Sequence, residues 1–206
     1  MIERLMTCDS TMTRDEFVAW WRERIGALSL LLRQVQCGMR SPQDLEEALY
    51  PMIETFGALF LTQPSFSDVI SIDLATWERR APPPGWWAAV ARAVAPSPIQ
   101  VPLLATAFKW VRSAHTGLRA ECESLARRAV ENPEDLALQD AIVAGLARVQ
   151  LAYRVTASAA KIAALAVLRA EQAATLYVLS YPHMPVVAAI LEAMPGVGDA
   201  PEPPPL

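Results

Sequence analysis

Apolar positions recur every three to four residues through most of the chain, which is the period of an amphipathic α-helix. The first such stretch begins at Thr13, which stands three residues before Glu16 as in a capping box. At about 100° per residue, one face of this stretch collects its large apolar side chains. These are Phe17, Trp21, Ile25, Leu28, Leu32 and Val35. The pattern predicts a helix that ends at Gly38.

A second helix is predicted after a short turn. Ser41-Pro42 followed by Asp44 is a start signal, because proline fits the first helical turn, where no backbone donor is needed. The apolar pattern then continues toward residue 61. Pro51 lies inside this stretch, and we expect it to kink the helix or divide it in two.

Two proline-rich segments, residues 81–85 and 95–102, interrupt the helical pattern in the middle of the chain. Before them, a third helix is predicted over residues 65–79, with a short strand over 69–72 as the alternative. The run 81–85 cannot continue a helix. A short apolar helix over 86–94 and a second proline-bearing loop over 95–102 follow. We interpret the two loops as hinges around a small subelement within one domain.

The carboxyl-terminal half predicts two long helices joined by a tight turn. The first spans residues 102–131, and Asn132-Pro133 with Asp135 begins the second, which runs toward residue 180 with a bend expected near 156–158. The mid-length charges of the second helix fall within a sector about 140° wide, so most of its circumference is apolar. These charges are Asp140, Arg148, Arg154, Lys161 and Arg169. We therefore place this helix in the middle of the fold and expect Leu146, Val149 and Leu165 to be fully buried.

A last short helix toward residue 193 completes the pattern. The predicted fold class is all-α: a helical bundle of about six to seven helices with two long C-terminal helices, the last long one central. Residues 1–196 are predicted to form a single helical domain, and residues 197–206 a disordered proline-rich tail.

Composition and charge disfavour several classes of protein. With 53% hydrophobic and 19% charged residues the chain is in the globular range, and its net charge of −4 disfavours nucleic acid as a partner. Residues 172–191 carry no Asp, Glu, Lys or Arg, but two prolines interrupt them, so a membrane-inserted helix is also disfavoured. Three cysteines without metal-binding spacing and no apolar run at the start favour the cytoplasm of a bacterial or host cell.

Candidate chemistry is sparse. No phosphate-binding loop, nucleophile elbow or zinc-protease motif occurs, so we expect no catalytic residue, no cofactor and no metal site. His115 and Cys122 share one side of a predicted helix, but two turns, about 10 Å, separate them. A core-facing, slowly reacting Cys122 is the expected arrangement, with a thiol–imidazole pair as the alternative.

The proline-flanked helix over residues 86–94 carries the functional hypothesis. Adjacent helical residues point about 100° apart, so Trp86 and Trp87 cannot both face one surface. We expect one of them to help bind a protein partner or a second copy of the chain. The candidate partner-binding residues are Trp86, Trp87, Pro82, Pro83, Pro84 and Pro98. The favoured function is a non-catalytic protein–protein interaction module. There are two alternatives. One is an enzyme or small-ligand binder with a site inside the bundle, and the other is a peripheral membrane protein that docks through Trp86 and Trp87.

Overall fold

A computed structural model describes residues 12–198, the side chains of residues 64, 65, 67 and 68 excepted. The helices are α1 (Arg14–Gln36), α2 (Pro42–Thr62), a 3-10 helix (Pro64–Ser71), α3 (Trp86–Val94), α4 (Gln100–Glu131), α5 (Leu136–Val167), α6 (Ala170–Ser180) and α7 (Val187–Glu192). Within residues 12–198 there is no β-strand, only one isolated antiparallel bridge between Ile72 and Arg79. The predicted all-α bundle is confirmed.

The first two helices begin where their capping residues predict. The Glu16 carboxylate accepts a hydrogen bond from the Thr13 backbone N–H at 2.8 Å, and the Thr13 hydroxyl accepts from the Glu16 N–H at 3.3 Å. Ser41 and Asp44 form the same reciprocal pair at the start of α2. Pro51 lies on the exposed side of α2, which continues through it as one helix.

The predicted helix over residues 65–79 is wrong, because only a 3-10 helix ending at Ser71 forms there. Asp73 redirects the chain: its carboxylate accepts hydrogen bonds from the backbone N–H groups of Ala75 at 2.8 Å and Thr76 at 3.2 Å. Trp77 then adopts a left-handed φ of 65° and is exposed. The alternative strand over 69–72 is also wrong, because the isolated bridge between Ile72 and Arg79 is the only β-type pairing in the described structure.

The long helix predicted toward residue 180 is two helices. The chain is helical through 156–158 and breaks instead at Leu168 and Arg169, where Arg169 is extended. The side-chain oxygen of Gln172 accepts the Arg169 backbone N–H at 2.9 Å, and its amide donates to the Ala95 carbonyl at 3.1 Å. A buried glutamine that joins three chain segments therefore sets the position of the break.

The main core surrounds α6, which contacts α1, α2 and α3. The Tyr177 ring lies 5.9 Å from the Trp21 ring, which in turn lies 5.6 Å from Phe56. The second half of α5 also belongs to this core, through Ala164 and Leu165. Val197, at the end of the described chain, is buried in it as well, and residues 199–206 of the predicted tail lie outside the described residues.

The first half of α5 packs against α4 in a separate, smaller apolar cluster. Leu125, Ile142 and Val149 are its buried members, and Leu146 is only partly buried beside them. Of the three residues expected to be fully buried, Val149 and Leu165 are buried and Leu146 is not. The α4–α5 hairpin thus has an inner half within the main core and an outer half with its own contacts.

Candidate functional site

A cavity of about 500 Å³ lies between the middle sections of α4 and α5. The end of α2 and the 3-10 helix close its third side through Phe60 and Ile70. Helical spacing gathers its lining: residues 115, 118, 119 and 122 share one side of α4, and residues 149, 150, 153 and 154 one side of α5. The two helices of the hairpin therefore build most of the site.

A smaller space of about 70 Å³ continues from this cavity toward the main core. Phe60, Ile70, His115 and Tyr153 line both spaces, so they adjoin. The inner space is further lined by Phe56, Val111, Ala157, Ala160, Lys161 and residues 185–188. We call the two spaces together the α4–α5 cleft.

Lys161 lies at the inner end of this cleft and is 9% exposed. Its ammonium nitrogen is 3.7 Å from the centroid of the Phe56 ring and 5.8 Å from that of Phe60. Within the described part of the chain, no carboxylate forms an ion pair with it. Burial lowers the pKa of Lys161 to about 7. A large fraction of this side chain is therefore an uncharged amine at neutral pH.

His115 and Tyr153 form the neck where the two spaces meet. Their rings stack with centroids 4.2 Å apart and an interplanar angle of 19°. The Nε2 atom of His115 is buried and has no hydrogen-bond partner among the described residues. Burial lowers the pKa of His115, and the positive charge of Arg119 lowers it further. The imidazole is therefore mostly neutral at neutral pH.

The outer part of the cleft is positive. Arg119 and Arg154 are its charged lining residues, and no acidic side chain lines either space in the described structure. Arg154 is held in place by a hydrogen bond of 3.4 Å from Nη1 to the Phe60 carbonyl. A molecule with an apolar body and an electron-rich polar group matches these surroundings.

Cys122 lies at the outer end of the cleft and is exposed, so the expectation that it faces the core is wrong. The prediction assumed that the apolar stripe of α4 is covered along its whole length. The outer half of α4 packs on α5 alone, and residues beside that contact stay open to solvent. His115 and Cys122 do line the same cavity, as their spacing on the helix implies.

None of the candidate partner-binding residues lines the cleft. Trp86 and Trp87 are both half-buried against the main core, and Trp86 meets the His183 ring edge-on at a centroid distance of 5.5 Å. Pro83, Pro84 and Pro98 are exposed, and Pro82 is half-buried. Partner binding by this segment stays a prediction.

Sequence reasoning missed the residues that the structure brings together. Lys161 was placed with the other charges of its helix and given no separate role, whereas the structure buries it. One signal was present: residues 155–168 contain no acidic residue to pair with it. Another is that 16 of the 18 basic residues are arginine, with Lys109 as the only other lysine. No comparable signal pairs His115 with Tyr153, because the two come from different helices.

No protein-family model matches the chain, and comparisons with curated proteins and with solved structures find no match either. Within residues 12–198, no three His, Cys, Asp or Glu side chains are grouped closely enough to hold a metal ion. Over the same part of the chain, none of the helices has the length and apolar character needed to span a bilayer. The geometry of the cleft is therefore the starting point for a functional proposal.

Proposed function

We propose that this protein binds a small, largely apolar molecule in the α4–α5 cleft, the ligand-binding alternative among the functions considered from the sequence. The observation that carries the proposal is Lys161, a buried lysine without an acidic partner, at the inner end of a cavity. Such a group destabilises the folded protein, because its charge loses hydration without gaining an ion pair. Strongly perturbed ionisable groups in clefts are typical of functional sites.

The size and lining of the cleft support a small ligand. A volume of about 500 Å³ is within the range of about 300 to 1,000 Å³ typical of small-molecule sites. Aromatic and aliphatic side chains make up most of the wall, with a few polar groups at defined places. Lys161, His115 and Tyr153 are the inner polar groups, and a ligand would place its polar end near them.

The test is to fill the inner space and measure ligand binding. Ala157 lines this space, and Ala157→Phe should obstruct it. Ala147 lies on the exposed face of the same helix, so Ala147→Phe is the matched control. We expect medium-chain alcohols such as 1-octanol to raise the melting temperature of the wild type and of the control. They should have no effect on Ala157→Phe. Equal stabilisation of both variants would show that the ligand binds elsewhere.

A second proposed function is protein binding, the function favoured by the sequence. It is supported by apolar side chains on the outer half of the hairpin: Val130 is 81% exposed, Leu136 78% and Val143 66%. Exposed apolar side chains that cluster on one element favour association. Sedimentation velocity over a range of concentrations tests self-association, and Val143→Ser should weaken it. A monomer at all concentrations, in both proteins, would exclude a homo-oligomer formed through this surface.

A further inference from the structure

The following inference rests on the proposed function and names the ligand class. We propose that Lys161 captures an apolar aldehyde or ketone as a reversible imine in the inner part of the α4–α5 cleft. The amine would form the covalent link, and the apolar chain of the ligand would extend past His115 and Tyr153 into the larger cavity. Both rings line the two spaces, so the spaces adjoin at this neck.

The surroundings of Lys161 favour a nucleophilic amine over an ion-pairing one. Its nitrogen faces the Phe56 ring, and Ala157 and Ala160 are the small side chains that line the adjoining space on its own helix. No acidic residue lines this space in the described structure, so none of the lining residues holds the nitrogen as an ammonium ion. The ionisable groups that line it besides Lys161 are His115 from α4 and Tyr153 from α5.

The protonation state supports the same chemistry. With a pKa of about 7, a large share of Lys161 is unprotonated at neutral pH. An ordinary lysine, with a pKa near 10.4, is uncharged in less than about 0.1% of molecules at pH 7. Only the uncharged amine has the lone pair that attacks a carbonyl carbon. Arginine, which supplies 16 of the 18 basic residues of this chain, does not form such an imine because it stays protonated.

The reaction needs no oxidant or reductant. The lone pair of the Lys161 nitrogen forms a C–N bond to the carbonyl carbon while the C=O π bond breaks, and one nitrogen proton moves to the oxygen to give a carbinolamine. The C–O bond then breaks, the oxygen leaves as water with a second proton, and the nitrogen is left doubly bonded to carbon. The neutral imidazole of His115 lines the same space and is a group that can carry these protons.

The experiment traps the imine with a probe aldehyde. Full-length protein is incubated with octanal and sodium cyanoborohydride at pH 7, and the alkylated residue is identified by peptide mass spectrometry. Octyl modification of Lys161 is expected at least tenfold faster than that of Lys109. The adduct at position 161 should be absent in Lys161→Arg and retained in Lys109→Arg. Peptide mapping of the wild type decides the result even if Lys161→Arg does not fold.

Two controls separate this inference from the proposed function. Unfolding the protein in urea before labelling should abolish the preference for Lys161 over Lys109. Equal labelling of the two lysines in the folded protein would overturn the inference. If 1-octanol still raises the melting temperature in that case, ligand binding in the cleft stands and only the imine is refuted. If neither octanol nor octanal stabilises the protein, the proposed function fails as well.

Discussion

Replacing Lys161 with methionine should stabilise the protein at neutral pH and remove part of its pH dependence. Methionine is also unbranched, is one heavy atom shorter and fills most of the same space without a charge. In the folded protein the pKa of Lys161 is about 7, whereas 10.5 is the value for a solvated lysine. Between these two values the unfolded chain binds a proton that the folded chain does not, so stability rises with pH in this window.

The magnitude follows from the two pKa values. With pKa values of about 7 in the folded state and 10.5 in the unfolded state, linkage gives the destabilisation of the folded protein by Lys161. It is about 4 kcal/mol at pH 7 and about 2 kcal/mol at pH 9. The wild type should therefore gain about 2 kcal/mol in free energy of unfolding between pH 7 and pH 9 through this residue alone. Lys161→Met should lack this gain.

Urea unfolding followed by circular dichroism measures both quantities. Lys109→Met is the matched control, since Lys109 is the other lysine and lies half-buried on α4. The remaining ionisable groups of the cleft, including His115, Tyr153 and Arg154, are common to all three proteins and cancel in the comparison. Identical pH dependence of the wild type and Lys161→Met would show that the amine is solvated in the folded state, and the argument for a functional lysine would be lost.

Four further predictions concern other parts of the fold. Cys122 should react rapidly with a thiol reagent in the native protein, because it is exposed. A ligand bound in the cleft that Cys122 lines should slow this reaction, and timed thiol titration measures both rates. Tyr177→Phe should leave the free energy of unfolding unchanged or raise it by up to about 1 kcal/mol, because the buried hydroxyl has no hydrogen-bond partner in the described structure. A clear loss of stability in thermal unfolding would refute this prediction. Gly117→Ala should stabilise α4 by about 0.5 to 1 kcal/mol in urea unfolding, since nothing lies within 4 Å of the added methyl group. Gly145→Ala should gain less than Gly117→Ala, because its methyl group meets a Leu125 methyl at 3.1 Å, and equal gains would show that the hairpin is looser than described.

Local signals predicted the helix starts well. The pairs Thr13–Glu16 and Ser41–Asp44 need only three residues of separation, so the sequence contains everything that determines them. The break after α5 was misplaced because it depends on Gln172, whose side chain contacts Ala95 across 77 positions of the chain. The periodicity of apolar residues along a helix gives no information on a contact between residues so far apart in the sequence.

The candidate site could not be predicted from the sequence pattern for a related reason. A lysine on a mostly apolar helix predicts a solvated charge, and only the packing of α2 and α4 against α5 buries Lys161. The stacking of His115 on Tyr153 likewise depends on the relative position of two helices. In contrast, the shared side of His115 and Cys122 was correct, because helical spacing alone determines it.

The two apolar clusters have a consequence for the order in which the protein folds. The outer cluster joins residues that are close in sequence, with Leu125 and Ile142 on either side of one tight turn. The main core pairs Trp21 with Tyr177, so its closure requires almost the whole chain. Contacts of short range form sooner, since less chain entropy is lost when they close. During synthesis the outer half of the α4–α5 hairpin therefore has its partner as soon as it is made, whereas the parts of α1 and α2 that pack on α6 stay uncovered until α6 emerges.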